Sequence, residues 1–513
     1  MIELPWTLPK DVESLQSLTR ELMTENIRLS EELRLLQRKK FGKSSEKDSR
    51  DPSPMFNEVE SIYDSTSEAE RDSEDDEIEV KPYKRGRPVR KPLPENLPRV
   101  RIEFDLTDDE KLCGCGCQMS RIGEEASEQL DIIPAQFQVI QNVRFKYACR
   151  SCEANVKIAA LPLHPIPKSI ASPDLLAYFA VSKYQDALPL YRQEKIFQRI
   201  GADLNRATIA AWMIRTGQLL TPLLNLLQEH ILSGKILHMD ETHVQVLKGT
   251  GKRPQTKNYM WIIHGGPPGK KATVFIYDPS RSKAVPNRLL AEYSGYLVLD
   301  AYKGYDEVCK KEEIVRVGCW AHVRRKFDDA EKTGIGGKAS SARQSTSQKA
   351  KGFIAKLYAL EALIAGLSDE EKLALRIQEA APIVDEFFSM INELLPKAPP
   401  KSLLGKALRY ASDNQKHLVR FLEAADIPLD NNPAENAIRP FALGRKNWLF
   451  AETVKGADAS ANIYSIIESA KDAGHEAYFY LRMLLAELPK AKTVEDLEKL
   501  LPYNIPPMTR ALP

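Results

Sequence analysis

The chain is poor in cysteine: seven in 513 residues, five of them between positions 113 and 152. That is too few for a disulfide framework, and the clustering favours metal binding. It also lacks any stretch near the roughly 20 uninterrupted apolar residues of a membrane helix. The opening Met-Ile-Glu-Leu-Pro-Trp lacks the basic-then-apolar order of a signal peptide, so a cytoplasmic chain is expected, with no membrane partner. An excess of either charge is missing too. The 73 Lys and Arg against 71 Asp and Glu leave +2, so any attraction to a polyanion must be local. What is present, 43% hydrophobic and 28% charged residues, is the balance of a globular protein, and the length implies about two to four domains.

Residues 10–40 read as one helix, because Leu15, Leu22, Leu29 and Leu36 recur every seventh position. This is a leucine-zipper pattern, with Val12, Thr19, Asn26 and Leu33 at the a positions, and a single Asn at a fixes register and favours dimers. The alternative is an amphipathic helix lying on its own protein. Residues 1–46 are assigned to this coiled coil and 47–98 to a disordered linker rich in Ser, Asp, Glu and Pro. Within the linker, Lys84-Arg85-Gly86-Arg87-Pro88 resembles an AT-hook, whose Arg85 and Arg87 would enter the narrow minor groove of A·T-rich DNA. A basic linker touching phosphates explains it equally well.

Residues 99–160 carry Cys113, Cys115 and Cys117, then Cys149 and Cys152, with β-rich sequence between. Two cysteine knuckles on hairpins make a zinc ribbon, in which four thiolates hold one structural Zn²⁺ that supplies folding energy. The first knuckle offers three thiols where two are needed, so which one is spare stays open. Residues 161–230 look helical. Glu194 to Arg215 has the outline of a helix-turn-helix, with Gly201 at the turn and Asn205, Arg206 and Thr208 opening the second helix. Ile200, Leu204, Ile209 and Trp212 would pack the two helices whether or not they read DNA.

The period then changes. Lys235–Asp240, Tyr259–His264 and Ala272–Tyr277 read as an antiparallel meander. A helical stretch (283–293), a fourth strand Tyr296–Asp300, another short helix and a fifth strand Ile314–Gly318 follow. The order β-β-β-α-β-α-β matches the ribonuclease-H-like α/β fold, with strands one and four side by side at the centre. Asp240 and Asp300 close those strands, so their carboxylates would meet. Like charges so close are tolerated when divalent cations lie between them, and two Mg²⁺ (or Mn²⁺) are the usual clamp for phosphodiester chemistry. The third acidic ligand is expected to be Glu435 in Asp430-Asn-Asn-Pro-Ala-Glu-Asn, just inside a helix opened by Pro433, with Arg439 one turn on to meet a phosphate. Asp430, Asn431 and Asn432 read as caps of that helix, and Glu241 points to the other side of its strand.

These motifs together resemble transposases of the insertion sequence 66 family. The likeness rests on Leu33-Arg-Leu-Leu-Gln-Arg-Lys-Lys-Phe-Gly-Lys-Ser-Ser-Glu-Lys47, the run 122–134, Leu188-Pro-Leu-Tyr-Arg192, Cys319-Trp-Ala-His-Val-Arg-Arg-Lys-Phe327 and Asp430–Asn436. The resemblance implies an Asp-Asp-Glu transposase: Asp240, Asp300 and Glu435 hold the catalytic metal, the element's terminal inverted repeats are bound, their 3′ ends are cut, and the hydroxyls are joined to target DNA. It also implies participation of accessory proteins of the same element, a zipper-linked homo-oligomer and a nucleoid-associated location. Competing readings are a catalytically silent DNA-binding regulator or domesticated remnant, and a nuclease acting on another nucleic acid.

The expected architecture is multidomain α+β: the catalytic domain at 231–332 and 425–480, a helical insertion at 333–424 that leaves the site undisturbed, and a helical tail at 481–513. Lys338–Lys351 reads as loop. Cys319-x-x-His322 has metal-ligand spacing but no second pair to complete a tetrahedral site, so His322 is expected to contact DNA or the active site. Arg324, Arg325 and Lys326 are candidates for phosphates. After Glu435, Arg439, Arg445 and Lys446 suit backbone phosphates, and Trp448 either an unstacked base or the core.

Overall fold

The structure is a computed structural model that describes residues 11–41, 101, 137–148, 156–249, 257–333 and 345–508. The linker, Arg85 and Arg87, and the cysteines at 113, 115, 117, 149 and 152 lie outside the described residues.

The N-terminal element is a single helix, α1 (Val12–Phe41). Along its zipper seam Leu22, Leu29 and Leu33 are exposed. Arg28 bridges Glu25 and Glu32 on the same helix, and Glu31 accepts a hydrogen bond from the Leu403 backbone N–H at 2.8 Å. A short antiparallel pair, β1 (Lys146–Ala148) and β2 (Val156–Ile158), precedes a helical layer. That layer comprises α2 (Pro173–Tyr184), α3 (Leu190–Arg199), α4 (Arg206–Leu219) and α5 (Thr221–Leu232).

The α3–α4 corner forms where the sequence places it. Gly201 takes φ +88, a backbone that side chains with a Cβ rarely adopt, and Asn205 caps α4 by accepting from the Ala207 N–H. Ile200, expected between the helices, is instead 46% exposed. Phe197 is the buried aromatic of α3, stacked on Phe179 of α2 at 4.8 Å, and Ile200 lies just past the end of that helix.

The central sheet contains β3 (Ile236–Lys248), β4 (Lys257–Gly265), β5 (Ala272–Asp278), β6 (Gly295–Leu299) and β7 (Ile314–Gly318), in the order β5-β4-β3-β6-β7. The first three strands are antiparallel, whereas β6 runs parallel to β3 and β7 parallel to β6. Strands one and four are therefore neighbours. Two expectations are corrected. β3 continues eight residues past Asp240, because its second half stays paired with β4 and its end gains a further strand, β8 (Ala451–Thr453). Between β6 and β7 the chain makes two single 3₁₀ turns (303–305 and 308–310) rather than a helix; between β5 and β6 a short helix, α6 (Ala284–Leu289), is present.

Alternation along the strands divides the core. Leu237, Met239, Leu297 and Leu299 join one cluster with α2, α4 and α5, whereas Ile236, Val298 and Val317 join the other. The second cluster is made by α7 (Trp320–Thr333), α8 (Thr346–Ile364), α10 (Ala381–Leu394), α11 (Leu403–Asp413) and α12 (Gln415–Leu418), around Trp320, Phe387 and Phe421, whereas α9 (Asp369–Leu375) buries no residue. The stretch expected as loop is helical from Thr346, because Ser345 and Gln348 form a capping box.

The chain closes with α13 (Asn432–Trp448), α14 (Val454–Asp472), α15 (Ala477–Glu487) and α16 (Val494–Glu498). Helix α14 lies on β5, where Ser465 and Ser469 accept from the Phe275 and Thr273 N–H groups. It also crosses α4 at Gly217, where an added Cβ would sit 2.5 Å from the Ala459 Cα. Gly217→Ala is expected to cost about 1–3 kcal/mol by forcing two helix backbones apart. A melting temperature equal to wild type would refute that close-packed crossing.

Candidate active site

The parallel pairing of β3 with β6 sets the site. The register pairs Ile236 with Tyr296, Leu237 with Leu297 and His238 with Val298. Continued two residues further, it brings Asp300 level with Asp240. Asp240 Oδ1 accepts from the Glu241 N–H at 2.8 Å. Asp300 Oδ1 accepts from the Tyr302 N–H at 2.9 Å, and the Asp300 carbonyl accepts from Arg316.

Burial first, and then the charges of Glu241, Asp300 and Glu435, push the Asp240 carboxyl up to about 8. A carboxyl so placed is a strained anion unless a cation joins it. Glu241 has partners of its own in Arg281 and the Tyr305 hydroxyl. Arg281 in turn lies 3.9 Å over the Tyr302 ring.

Glu435 stands in the first turn of α13. Its Oε2 accepts from Arg325 at 2.8 Å, while its Oε1 faces His322 Nδ1 at 3.5 Å. Neither of these two facing atoms has a hydrogen-bond partner, although both are buried. Cys319, His322 and Glu435 form a group whose ligand atoms all lie within 4.8 Å of one another.

The start of α13 is tied down by a residue expected only as a cap. Asn431, 1% exposed, donates through its side chain to the Met239 carbonyl at 2.9 Å and meets His238 Nδ1 at 3.0 Å. Its backbone N–H reaches the Cys319 sulfur at 3.2 Å. Since the Asn431 amide nitrogen donates to Met239, its oxygen accepts and His238 Nδ1 carries the proton. Asn431 thus cross-links β3, the head of α7 and α13, and capping falls to Asp430, which accepts from the Asn432 N–H.

The insertion touches this machinery: the Tyr358 hydroxyl donates to Asp430 at 2.6 Å, and Tyr410 lines the space beside Asp300 with Arg316 and Cys319. Helices that cover one face of the sheet necessarily reach the strand ends where the aspartates stand.

The remaining candidates are scattered. Asn205 and Arg206 lie exposed at the α4 N-terminus, Asn205 spent on its cap. Arg324 is half-buried on α7, Arg439 lies one turn beyond Glu435, and Lys446 is exposed near the end of the same helix. Arg445 is committed to the Thr242 hydroxyl and His243 carbonyl of β3. Trp448 packs on Phe441 at 5.4 Å, as its core reading required. Tyr358 and Tyr410 carry no signal in the sequence, and Asn431, legible there as a cap in the Asp-Asn-Asn run, takes a cross-linking role instead.

A mixed sheet thus levels two aspartates, and the helix that carries Glu435 is tied to the same strand through Asn431. The chain belongs to the IS66 family of transposases: the family described as "Transposase IS66 family" matches residues 168–459, more than half of the chain. Flanking matches are a "zinc-finger binding domain of transposase IS66" at 110–153, "Transposase C of IS166 homeodomain" at 28–102 and an "IS66 C-terminal element" at 465–503. The zinc-finger match supports a zinc ion in the cysteine-rich segment. Similar proteins include two from Sinorhizobium fredii, both described as uncharacterized. One, y4qI, is 32% identical over 498 residues, 93% of this chain and 88% of its own length. The other, y4jD, is 33% identical over 428 residues, 80% of this chain and 81% of its own. Among the described residues no helix is long and apolar enough to cross a membrane.

Proposed function

We propose that this chain is an Asp-Asp-Glu transposase with a ribonuclease-H-like catalytic domain, which binds the terminal inverted repeats of its element, cleaves there and transfers the 3′ ends into target DNA. The observation that carries the reading is the β3–β6 register, which levels Asp240 with Asp300 under the Glu435 helix. The site fits Mg²⁺ or Mn²⁺: its donors are carboxylate oxygens, Asp240 is held with its pKa raised among other acids, and Glu435 Oε1 is buried without a hydrogen-bond partner. Asp240, Asp300 and Glu435 would hold two such ions, which when bound would supply the Lewis acidity that in-line phosphoryl transfer needs.

The protein's own residues do the rest. Asn431 fixes the height of the Glu435 helix against β3, and Arg325 orients the Glu435 carboxylate. His322, Arg324, Arg439 and Lys446 are assigned to the DNA backbone, with Arg85, Arg87, Asn205 and Arg206 engaging the element's ends elsewhere. One structural Zn²⁺ in the cysteine segment, self-association through the exposed seam of α1, participation of accessory proteins and action at the bacterial nucleoid complete the reading.

The test is incubation of the purified protein with its element's terminal DNA in Mg²⁺ or EDTA, comparing wild type with Glu435→Gln. Metal-dependent 3′-end cleavage and joining, lost in the variant, is the expected result. Specific end binding without products from either protein would leave a silent regulator, and equal cleavage by both would remove Glu435 from the site.

A further inference from the structure

Beside the hard carboxylate donors, the fold gathers a softer set. Cys319 ends the β7–α7 junction, His322 lies in the first turn of α7, and Glu435 is brought to them because Asn431 and Leu429 bond that junction: the Trp320 N–H donates to the Leu429 carbonyl at 3.0 Å and the Asn431 N–H to the Cys319 sulfur at 3.2 Å. We propose that Cys319, His322 and Glu435 form a binding site for one thiophilic divalent ion of the Zn²⁺ class, sharing Glu435 with the carboxylate centre.

The His322–Glu435 distance matches such an ion, and Cys319 stands near enough to join them by a side-chain adjustment. Donors bound to one tetrahedral zinc lie about 3.3–3.8 Å apart, given bonds of about 2.0–2.3 Å. His322 Nδ1 and Glu435 Oε1 are 3.5 Å apart, and all three ligand atoms fall within 4.8 Å. Those two facing atoms are buried and make no hydrogen bond, an arrangement that costs stability unless something lies between them. Burial pushes the Cys319 thiol up to about 12, offset only in part by the N–H directed at its sulfur, so the thiolate forms as a cation displaces its proton. Three protein donors leave a fourth position for water. On binding, the Cys319 S–H bond breaks, its proton passes to solvent and a sulfur–metal bond forms, with no change of oxidation state. Cys319-x-x-His322 lacked a second cysteine or histidine pair in the sequence; the third donor comes from a residue 113 positions further on.

The consequence rests on Glu435 being the third catalytic ligand. A soft ion that takes Glu435 withdraws it from Mg²⁺, so Zn²⁺ at this site antagonises Mg²⁺-supported cleavage.

Equilibrium dialysis of the full chain against Zn²⁺ tests the site directly, without DNA. Wild type is expected to bind one more ion than Cys319→Ser or His322→Gln. A Cys149→Ser/Cys152→Ser variant is expected to keep the site and to show thiolate-to-metal charge-transfer absorption with Co²⁺. Equal ion counts in wild type and both single variants overturn the proposal. Should Cys319→Ser prove unfolded by circular dichroism, His322→Gln, altered at a partly exposed position, decides. In the cleavage assay at fixed Mg²⁺, Zn²⁺ inhibition is expected to weaken about tenfold or more in His322→Gln. Inhibition unchanged in that variant overturns the shared-ligand claim. Absence of cleavage by every protein counts against the transposase reading alone and leaves the ion count to judge the site.

Discussion

Asp240→Asn is expected to abolish DNA cleavage, by about 10³-fold or more, while making the metal-free protein more stable than wild type. Both effects arise from one fact. The folded protein holds the Asp240 carboxyl at about 8 against an ordinary 3.8, through burial and the surrounding acids. The folded state therefore keeps a proton that the unfolded chain releases. The stability associated with this residue is fully present below about pH 4 and is lost as pH rises through about 8. At pH 7 the penalty is on the order of 2–4 kcal/mol. An amide of the same shape carries no charge and escapes it. The melting temperature of wild type in EDTA should fall between pH 5 and 8, Mg²⁺ should restore it, and Asp240→Asn should be flat over that range in EDTA and indifferent to Mg²⁺. Parallel pH profiles for the two proteins would show that Asp240 does not carry the strain.

Asn431→Ala is expected to be the most damaging change among residues that do not touch a metal. It removes the partner of the Met239 carbonyl and of His238, both buried. Leaving two buried polar groups unsatisfied costs about 2–5 kcal/mol. Burial holds His238 neutral, its pKa pushed down to about 3, so the ring cannot recover the loss by taking charge. Because Asn431 ties the head of α13 to β3, cleavage should drop even at temperatures where the variant stays folded. Asn431→Asp keeps an acceptor for His238, but it loses the donor to Met239 and adds a charge beside Glu435, so it should fare no better. An alanine variant as stable and as active as wild type would show that the Glu435 helix is positioned by its other contacts.

Much of this site was legible in the sequence. The spacing of apolar runs marked five of the six strands of the main sheet, and acidic residues at the ends of the first and fourth runs, with a third on a helix opened by Pro433, made Asp240, Asp300 and Glu435 the candidates. The N-terminal helix, the Gly201 corner and the second helix opening at Asn205 were equally plain, since each depends on residues within a few positions of one another. What the chain could not reveal locally were contacts fixed by packing across large separations. The length of β3 was underestimated because its second half is held by β4 and β8, the latter more than 200 residues away. The role of Asn431 depends on Met239 and His238 at separations of 192 and 193 residues, and that of Tyr358 on Asp430 at 72. Periodicity and capping are short-range physics and are written in neighbouring residues. Which buried donor meets which acceptor, and so where a cysteine and a histidine find a third ligand, is decided only when the sheet register and the helix packing bring distant segments together.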